Sequence, residues 1–314
     1  MNKKAEFGLI GLGVMGKSLS LNLADKGFQL ALYNRHVEGV EEKVAEKFLN
    51  EEGLLNTASG FDDLPSFVNA LSQPRRIFMM IKAGPATDAT IKDLIPLLLR
   101  GDVLMDGGNS HYKDTQRRIE LLKTKEIHFI GAGVSGGEEG ARKGPSIMPG
   151  GEKEAYDLVS PYLEAIAAKG LMGKKCCAYI GKEGAGHFVK MVHNGVEYGE
   201  MQLIAECYGL LRHGAGYRPD EIADMFKSWV QMGLGSYLLE TTINILNTKE
   251  DETWLIDKIL DKAGNKGTGS WTTIAACELG VAIPTITAAL FVAIRWVIKY
   301  QVQSSQKPPK SYQI

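Results

Sequence analysis

Apolar and polar positions alternate along the first half of the chain in a pattern that predicts strands separated by helices. Short apolar runs typical of strands occupy 7–12, 30–34, 75–81, 102–106 and 127–131. Stretches with apolar residues at helical spacing lie between them, at 14–26, 38–50, 87–98 and 113–124. Strands and helices alternating at this spacing predict an α/β domain with a doubly wound parallel sheet over residues 1–178.

The pattern changes after residue 179, where the strand-like runs stop. Five segments with helical periodicity follow, separated by glycine, proline or polar breaks: 182–213, 219–229, 236–248, 253–263 and 271–299. They predict an all-α second domain over residues 179–302. The last residues, 303–314, are polar and contain prolines, and are predicted to be a disordered tail.

Composition and charge argue against several classes of partner. The chain has a net charge of −1 and a pI of about 6.6, so its overall charge favours neither nucleic acid nor an anionic membrane. The N-terminal apolar run is short and glycine-rich, unlike a signal peptide, and Pro284 interrupts the apolar segment 281–294, which favours a buried helix over a membrane span. The four cysteines lack metal-site spacing, so we expect free thiols, no metal, and a cytoplasmic location.

The segment GLGVMG at 11–16 has the chemistry of a dinucleotide site. Three glycines at G-x-G-x-x-G spacing follow a predicted strand and open a predicted helix, and a second strand ends about twenty residues later. The first two glycines permit a tight turn and the close approach of a pyrophosphate, which the helix N-terminus attracts. This context predicts a Rossmann-like domain, and a glycine turn without a ligand is the alternative. The predicted cofactor-binding residues of the turn are Gly11, Leu12, Gly13, Val14, Met15 and Gly16.

The residues at the end of the second strand indicate whether the cofactor is NAD or NADP. Proteins that bind NAD favour Asp or Glu here, because a carboxylate holds the ribose 2′-hydroxyl. This chain has Asn34, Arg35 and His36 instead. A guanidinium without a neighbouring carboxylate favours a 2′-phosphate, so the predicted cofactor is NADP. An arginine that stands here by chance, with NAD as the cofactor, is the alternative.

The segment KMVHNGVEYGEMQ at 190–202 predicts a helix with an unusual polar face. One stripe at helical spacing carries Lys190, His193, Asn194, Glu197 and Tyr198. A separate apolar stripe consists of Val189, Val192, Val196 and Leu203. Lys190 and Glu197 are two turns apart, about 10 Å along the axis, and face the same way. A catalytic face fits this pattern, and so does a solvated or interdomain polar face.

Three polar or glycine-rich segments follow predicted strands, where doubly wound sheets bind ligands. They are IKAG at 81–84, DGGNS at 106–110 and the long segment 131–151. In the last of them, the backbone N–H groups of Ser135, Gly136 and Gly137 are suited to a carboxylate or a phosphate. A flexible loop is the alternative, although a structureless loop of this length is uncommon in a compact domain.

These segments together resemble the decarboxylating 6-phosphogluconate dehydrogenase family. The matching strings are GLGVMG (11–16), YNR (33–35), PRRIFMMIKAG (74–84), DGGNS (106–110), GVSGGEEGARKGPSIMPGG (133–151), EGAGHFVKMVHNGVEYGEMQLIAE (183–206) and NKGTGSWT (265–272). They cover nearly all of residues 5–290. The wider β-hydroxyacid dehydrogenase group shares the glycine turn, a serine-glycine-glycine loop and a helix lysine, but not HNGVEYG or KGTG.

The resemblance implies oxidative decarboxylation of 6-phosphogluconate to ribulose 5-phosphate and CO2 with reduction of NADP, in the pentose phosphate pathway, by a homodimer. Lys190 would accept the C3 hydroxyl proton as hydride leaves, which requires a neutral, buried amine. Glu197 would protonate C1 of the enediol, which an apolar pocket favours. The residues implied to bind substrate are Asn109, Ser135, Gly136, Gly137, His193, Asn194, Tyr198, Lys266, Thr268 and Arg295. Those implied to border the cofactor are Ile81, Lys82, Ala83 and Asn109.

Departures from the family lie late in the chain. The arginine that the family uses for the substrate phosphate arrives two residues late, as Arg295, about 200° around a helix from the family position, which Ala293 occupies. Family chains also continue past residue 314 with helices and a tail that donates an arginine and a histidine to the partner's site. Two alternatives therefore stay open: a truncated, inactive homologue that retains NADP binding, and another β-hydroxyacid dehydrogenase, such as one for 3-hydroxyisobutyrate.

Overall fold

The computed structural model describes residues 4–54, 56–170, 172–260 and 267–305, with side chains as far as residue 294. The chain divides into two compact units, Met1–Met191 and Val192–Ile314. This division falls within a long helix, later in the chain than the boundary predicted at 178/179, because the start of that helix packs into the first unit. A Cβ on Gly186 in that helix would overlap the carbonyl oxygens of Gly131 and Met148.

The first unit alternates strands and helices along the chain. Its elements are β1 (Phe7–Ile10), α1 (Val14–Asp25), β2 (Leu30–Tyr33), α2 (Val44–Glu51), β3 (Ala58–Phe61), α3 (Leu64–Asn69), β4 (Arg76–Met79), α4 (Pro85–Leu94), β5 (Val103–Asp106), α5 (Tyr112–Lys123), β6 (His128–Ser135), α6 (Gly137–Lys143), β7 (Ser146–Gly151) and α7 (Lys153–Ile166). A short 3-10 turn, Ile95–Leu97, follows α4.

The strands form one sheet in the order β3-β2-β1-β4-β5-β6-β7, in which β1 to β6 are parallel and β7 is antiparallel to β6. The predicted doubly wound α/β fold is confirmed, and so are its five predicted strands. Two strands, β3 and β7, were not predicted. The residues of β3 are mostly small, and β7 contains Pro149 and two glycines, so their composition favours loops. Pairing with neighbouring strands makes them strands.

Buried apolar side chains cover both faces of this sheet. Neighbouring positions of β4 show the alternation: Phe78 packs into one apolar layer, and Ile77 and Met79 pack into the other. All three side chains are fully buried. A parallel sheet that is covered on both faces requires strands without a polar side. Two-sided burial therefore explains the continuous apolar runs from which these strands were predicted.

Helices dominate the second unit. The remaining elements are α8 (Ala185–Gly209), with a π-helical turn Leu210–Gly214, α9 (Pro219–Trp229), with a π-helical turn Val230–Leu234, α10 (Tyr237–Asn247), β8 (Lys249–Glu250), β9 (Thr253–Trp254), α11 (Leu255–Lys258), α12 (Thr268–Leu279) and α13 (Pro284–Ser305). The unit boundary falls within α8. A small core joins α9 and α10 through Ile222, Phe226, Leu239, Ile243 and Leu246.

Four details of the second unit differ from the prediction. Among the described residues, the predicted helix 253–263 is only the four-residue α11. The strands β8 and β9 form a two-residue antiparallel hairpin in the predicted all-α domain. The predicted helix 271–299 is two helices, because Gly280 ends α12 at φ +67° and Pro284 starts α13. Helix α13 extends to Ser305, so 303–305 are helical, and the rest of the predicted tail, 306–314, lies outside the described residues. Among the helices described, none is both long and apolar enough to cross a membrane.

Candidate active site

The turn between β1 and α1 is shaped for the close approach of a phosphate. Gly11 has φ +95°, and a Cβ on Gly16 would overlap the carbonyl oxygen of Gly11. A Cβ on Gly13 would meet no described atom within 4 Å, so that side of the turn is open. Helix α1 begins there without a side-chain cap, which leaves its first N–H groups available to an anion. These residues therefore fit the pyrophosphate of a dinucleotide.

The end of β2 is joined to this turn and holds an unexpected carboxylate. The Asn34 side-chain oxygen accepts a hydrogen bond of 3.0 Å from the Leu12 N–H. Arg35 and His36 are exposed, and Arg35 Nη2 lies 3.0 Å from Glu41 Oε1. The expectation that Arg35 has no neighbouring carboxylate is therefore wrong. Glu41 returns to the end of β2 through a loop that the local sequence does not reveal.

Buried Arg118, in α5, connects the two loops predicted to border the cofactor. In the loop after β5, it donates to Asp106 (2.9 Å) and to Ser110 (3.1 Å). In the segment after β4, it donates to the carbonyl oxygen of Gly84 (3.2 Å), which directly follows Ile81, Lys82 and Ala83. Asn109 lies between these fixed points with an exposed side chain. The hydrogen bonds therefore hold the Asn109 backbone while its amide faces solvent.

The third predicted segment, 131–151, contains the turn between β6 and α6. Ser135 ends β6, and the next two residues have positive φ, +133° at Gly136 and +60° at Gly137. A Cβ on Gly136 would lie 2.9 Å from the Cα of Gly140, so this position requires glycine. The alternative of a flexible loop over 131–151 is wrong, because the segment forms β6, α6 and β7.

Lys190, in the part of α8 that belongs to the first unit, packs on β6. Its side chain is 7% exposed, and a Cβ on Gly133 of β6 would overlap the Cβ of Lys190. The missing side chain at Gly133 thus lets the lysine stem lie against the strand, near its carboxyl end. Lys190 is buried, as its implied role as a base requires.

His187 lies one turn before Lys190 and is almost fully buried. Its Nδ1 lies 2.6 Å from Thr115 Oγ1, and its Nε2 has no hydrogen-bond partner among the described residues. Burial lowers the pKa of His187, the carboxylate of Asp106 opposes that shift, and the charge of Arg118 adds to it. The imidazole is therefore neutral at physiological pH.

The rest of the polar stripe belongs to the second unit and is less buried. His193 Nδ1 lies 3.6 Å from Glu197 Oε2, and these side chains are 35% and 39% exposed. The apolar pocket expected around Glu197 is therefore not seen among the described residues. Two valines of the apolar stripe, Val189 and Val196, are 38% and 53% exposed. On α8, Lys190 is more buried than either valine.

The phosphate-binding residues implied by the resemblance are brought together in part. A Cβ on Gly269, in the first turn of α12, would lie 3.4 Å from the ring of Tyr198, so Tyr198 packs beside the start of that helix. Thr268, the first residue of α12, is buried. Lys266 and the side chain of Arg295 lie outside the described residues.

Three residues at the site were not anticipated from the sequence: Glu41, Arg118 and His187. Each contacts a residue that is distant along the chain: Glu41 and Arg35 are 6 residues apart, Arg118 and Gly84 are 34 apart, and His187 and Thr115 are 72 apart. Asp106 at the end of an apolar strand was one available signal, because a buried carboxylate requires a partner.

The sheet order, the glycine turn and the open side of that turn define an α/β protein of the dinucleotide-binding class. The chain belongs to the 6-phosphogluconate dehydrogenase family. The family model for the NAD binding domain of 6-phosphogluconate dehydrogenase matches residues 6–181, and the model for the C-terminal domain matches residues 186–308.

Individual relatives agree with this assignment. The NADP(+)-dependent, decarboxylating 6-phosphogluconate dehydrogenase of Bacillus subtilis is 53% identical over 290 residues, which cover 92% of this chain and 60% of the relative. The solved 6-phosphogluconate dehydrogenase of Plasmodium falciparum superposes with a TM-score of 0.87 at 41% identity, over 98% of this chain and 67% of that one. The 3-hydroxyisobutyrate dehydrogenase of Mycobacterium tuberculosis has a TM-score of 0.68 at 18% identity, over 94% of each chain, and shares the fold. The chain spans about three fifths of the length of the curated relatives it matches.

Proposed function

We propose that this chain carries the NADP site and the catalytic helix of a decarboxylating 6-phosphogluconate dehydrogenase. The observation that carries the proposal is the buried side chain of Lys190, whose stem lies against Gly133, on the same continuous helix as Glu197. Seven residues separate the two groups, so the helix holds them about 10 Å apart on one side. The names of the Bacillus and Plasmodium relatives agree with this activity and cofactor.

NADP, when bound, accepts a hydride from the substrate. The open side of the glycine turn at Gly13 and the first N–H groups of α1 would hold its pyrophosphate. Asn34, Arg35 and His36 would face its 2′-phosphate. The loops fixed by Arg118 would border its nicotinamide end, through Ile81, Lys82 and Ala83 on one side and Asn109 on the other.

Lys190 would take the proton of the C3 hydroxyl as hydride leaves C3, which converts the substrate to a β-keto acid. Loss of CO2, with return of the proton from Lys190 to the C3 oxygen, then leaves an enediol. Glu197 would deliver a proton to the carbon that carried the CO2, which is C1 of the product, while Lys190 takes back the hydroxyl proton, to give ribulose 5-phosphate. Ser135, Gly136 and Gly137 would bind the carboxylate end with backbone N–H groups, and His193 and Asn194 would bind hydroxyls. Tyr198 and Thr268, together with Lys266 and Arg295, would bind the distal phosphate.

A homodimer in the cytoplasm is part of the same proposal. The four cysteines are free, as the sequence predicts, which suits a reducing compartment. Several large apolar side chains of the second unit are exposed, among them Ile274, Leu279 and Phe291 at 56%, 65% and 62%. A surface of this kind favours pairing with a second copy. Light scattering on the purified protein measures its mass in solution and therefore its oligomeric state.

The test is an assay of NADPH formation with 6-phosphogluconate. We expect a substrate-dependent rate for the unaltered chain and, for Lys190→Ala, a kcat lower by about 10²- to 10⁴-fold, because a general base contributes that much. Lys182→Ala, which removes an exposed lysine eight residues earlier, is the matched control and should keep the rate.

Binding of NADP, measured by calorimetry on the same proteins, separates the alternatives. If the unaltered chain binds NADP but shows no substrate-dependent rate, the chain is an inactive homologue and the catalytic proposal is wrong. Turnover of 3-hydroxyisobutyrate without turnover of the phosphosugar would instead assign a different β-hydroxyacid substrate.

A further inference from the structure

Glu41 is held against the end of β2 by a closed loop. The Val37 N–H donates to the Glu41 carbonyl oxygen (2.9 Å), and the Glu41 N–H donates to the Val37 carbonyl oxygen (2.7 Å). Gly39, at φ +71°, allows the chain to reverse between them. The loop thus brings the Glu41 side chain back to residues 34 and 35.

The Glu41 carboxylate accepts hydrogen bonds from both neighbouring side chains. Arg35 binds it in bidentate fashion, with Nη2 3.0 Å from Oε1 and Nε 3.3 Å from Oε2. The Asn34 amide nitrogen donates to Oε2 as well (2.9 Å). The oxygen of the same amide accepts a hydrogen bond from the Leu12 N–H, so Asn34 connects the Arg35–Glu41 ion pair to the glycine turn.

The Nε–Nη2 edge of a guanidinium offers the same bidentate geometry to a carboxylate and to a phosphate, so the two anions compete for the edge of Arg35 that Glu41 holds. The pair lies near the surface, with side-chain exposures of 69% for Arg35 and 32% for Glu41. An exposed ion pair of this kind is weak, and a doubly charged phosphate can displace the carboxylate. Displacement leaves the Glu41 charge beside the phosphate, which weakens phosphate binding further.

We propose that Glu41 is a specificity-determining residue that competes with the cofactor 2′-phosphate for Arg35 and thereby lowers the preference of this site for NADP over NAD. NAD lacks the 2′-phosphate, so it can bind without breaking the Arg35–Glu41 pair. The hydrogen bond from Arg35, followed by that from Asn34, lowers the pKa of Glu41, so the competitor is an anion at neutral pH. The inference rests on the proposed assignment of a dinucleotide to this site.

The experiment measures dissociation constants of the full chain for NADP, NAD and 2′,5′-ADP by calorimetry at one ionic strength. Glu41→Gln keeps the size of the side chain and removes the charge. We expect it to bind NADP and 2′,5′-ADP about fivefold more tightly, because the anion that competes for Arg35 is gone and an exposed ion pair is weak. Its affinity for NAD should stay within about twofold.

Two controls make the result specific. Glu38→Gln removes the same charge from an exposed position of the same loop and should change neither affinity. In Arg35→Met protein, Glu41→Gln should no longer improve NADP binding, because the contested guanidinium is gone.

An unchanged or weaker NADP affinity in Glu41→Gln, or an equal gain for NADP and NAD, overturns the inference and leaves the proposed function standing. If the unaltered chain binds neither NADP nor 2′,5′-ADP, the cofactor assignment fails, and the inference fails with it.

Discussion

At the residue scale, two glycines of the β1–α1 turn have different requirements. A Cβ on Gly16 would overlap the carbonyl oxygen of Gly11, whereas a Cβ on Gly13 would enter open space at an ordinary φ of −70°. Glycine at position 16 is therefore required for the turn to fold. Glycine at position 13 is required only for a ligand to approach the turn closely.

Alanine at each position separates these two roles. We expect Gly16→Ala to lower the free energy of unfolding by about 1–3 kcal/mol, because the extra methyl forces the turn apart. Gly13→Ala should change it by less than about 0.5 kcal/mol. Gly13→Ala should nevertheless bind NADP about tenfold more weakly, because the methyl obstructs at least one charged hydrogen bond. Urea unfolding and calorimetry measure the two effects, and equal losses of stability would contradict the assignment.

Sequence alone pointed to single candidate residues more readily than to their surroundings. Lys190 and the glycines were predicted because their spacing along one helix or one turn is local. The Glu41–Arg35 pair depends on a loop closure, and the burial of Lys190 depends on the absence of a side chain at Gly133, which lies on a different element. Neither the ion pair nor the burial of Lys190 can be predicted from the spacing of residues within one element.

At the element scale, α5 carries two adjacent arginines with opposite situations. Arg118 is fully buried and binds Asp106, Ser110, the Gly84 carbonyl oxygen and, through Nε, Asp88 (2.8 Å), which both arginines share. Arg117 is half exposed and pairs with Asp88 (2.9 Å) and, more distantly, with Asp114 (3.5 Å). The pair allows a comparison between a buried and an exposed arginine on the same helix.

We expect Arg118→Met to lower the free energy of unfolding by about 3–5 kcal/mol, because it leaves the Asp106 carboxylate buried and unpaired by its arginine. Arg117→Met should cost less than about 1 kcal/mol, as exposed ion pairs contribute little. Urea titration followed by circular dichroism measures both variants. Similar losses for the two variants would mean that Arg118 does not hold the loops.

Helices α1 and α5 begin and end within about one residue of their predicted bounds. Helix α5 alternates a buried and a solvated face. Helix α1 is buried along most of its length, and the glycine turn before it marks its start. Elements β3, α3, α6, β7 and α7 were not predicted. Of these, β7 and α6 are glycine-rich and become regular only through pairing with β6 and packing on α1. Tertiary contacts here override local propensity.

At the scale of the whole molecule, stability should depend on pH through His187. Burial lowers the pKa of His187 in the folded protein, whereas in the unfolded chain this group titrates near its ordinary value of about 6.5. Below that pH the unfolded state takes up a proton that the folded state does not. Folding therefore loses stability as the pH falls through about 6.5, and this group causes no change at higher pH.

The expected loss is up to about 1.4 kcal/mol per pH unit below pH 6.5, down to the folded-state pKa. His187→Asn keeps a polar atom near Thr115 but cannot take up the proton, so its free energy of unfolding should fall less steeply than that of the unaltered chain. Carboxylates titrate in both proteins and cancel in the difference. His213→Asn, which replaces an exposed histidine, should retain the steeper dependence. Urea unfolding at a series of pH values measures all three, and parallel curves for His187→Asn and the unaltered chain would show that this imidazole accepts a proton in the folded state.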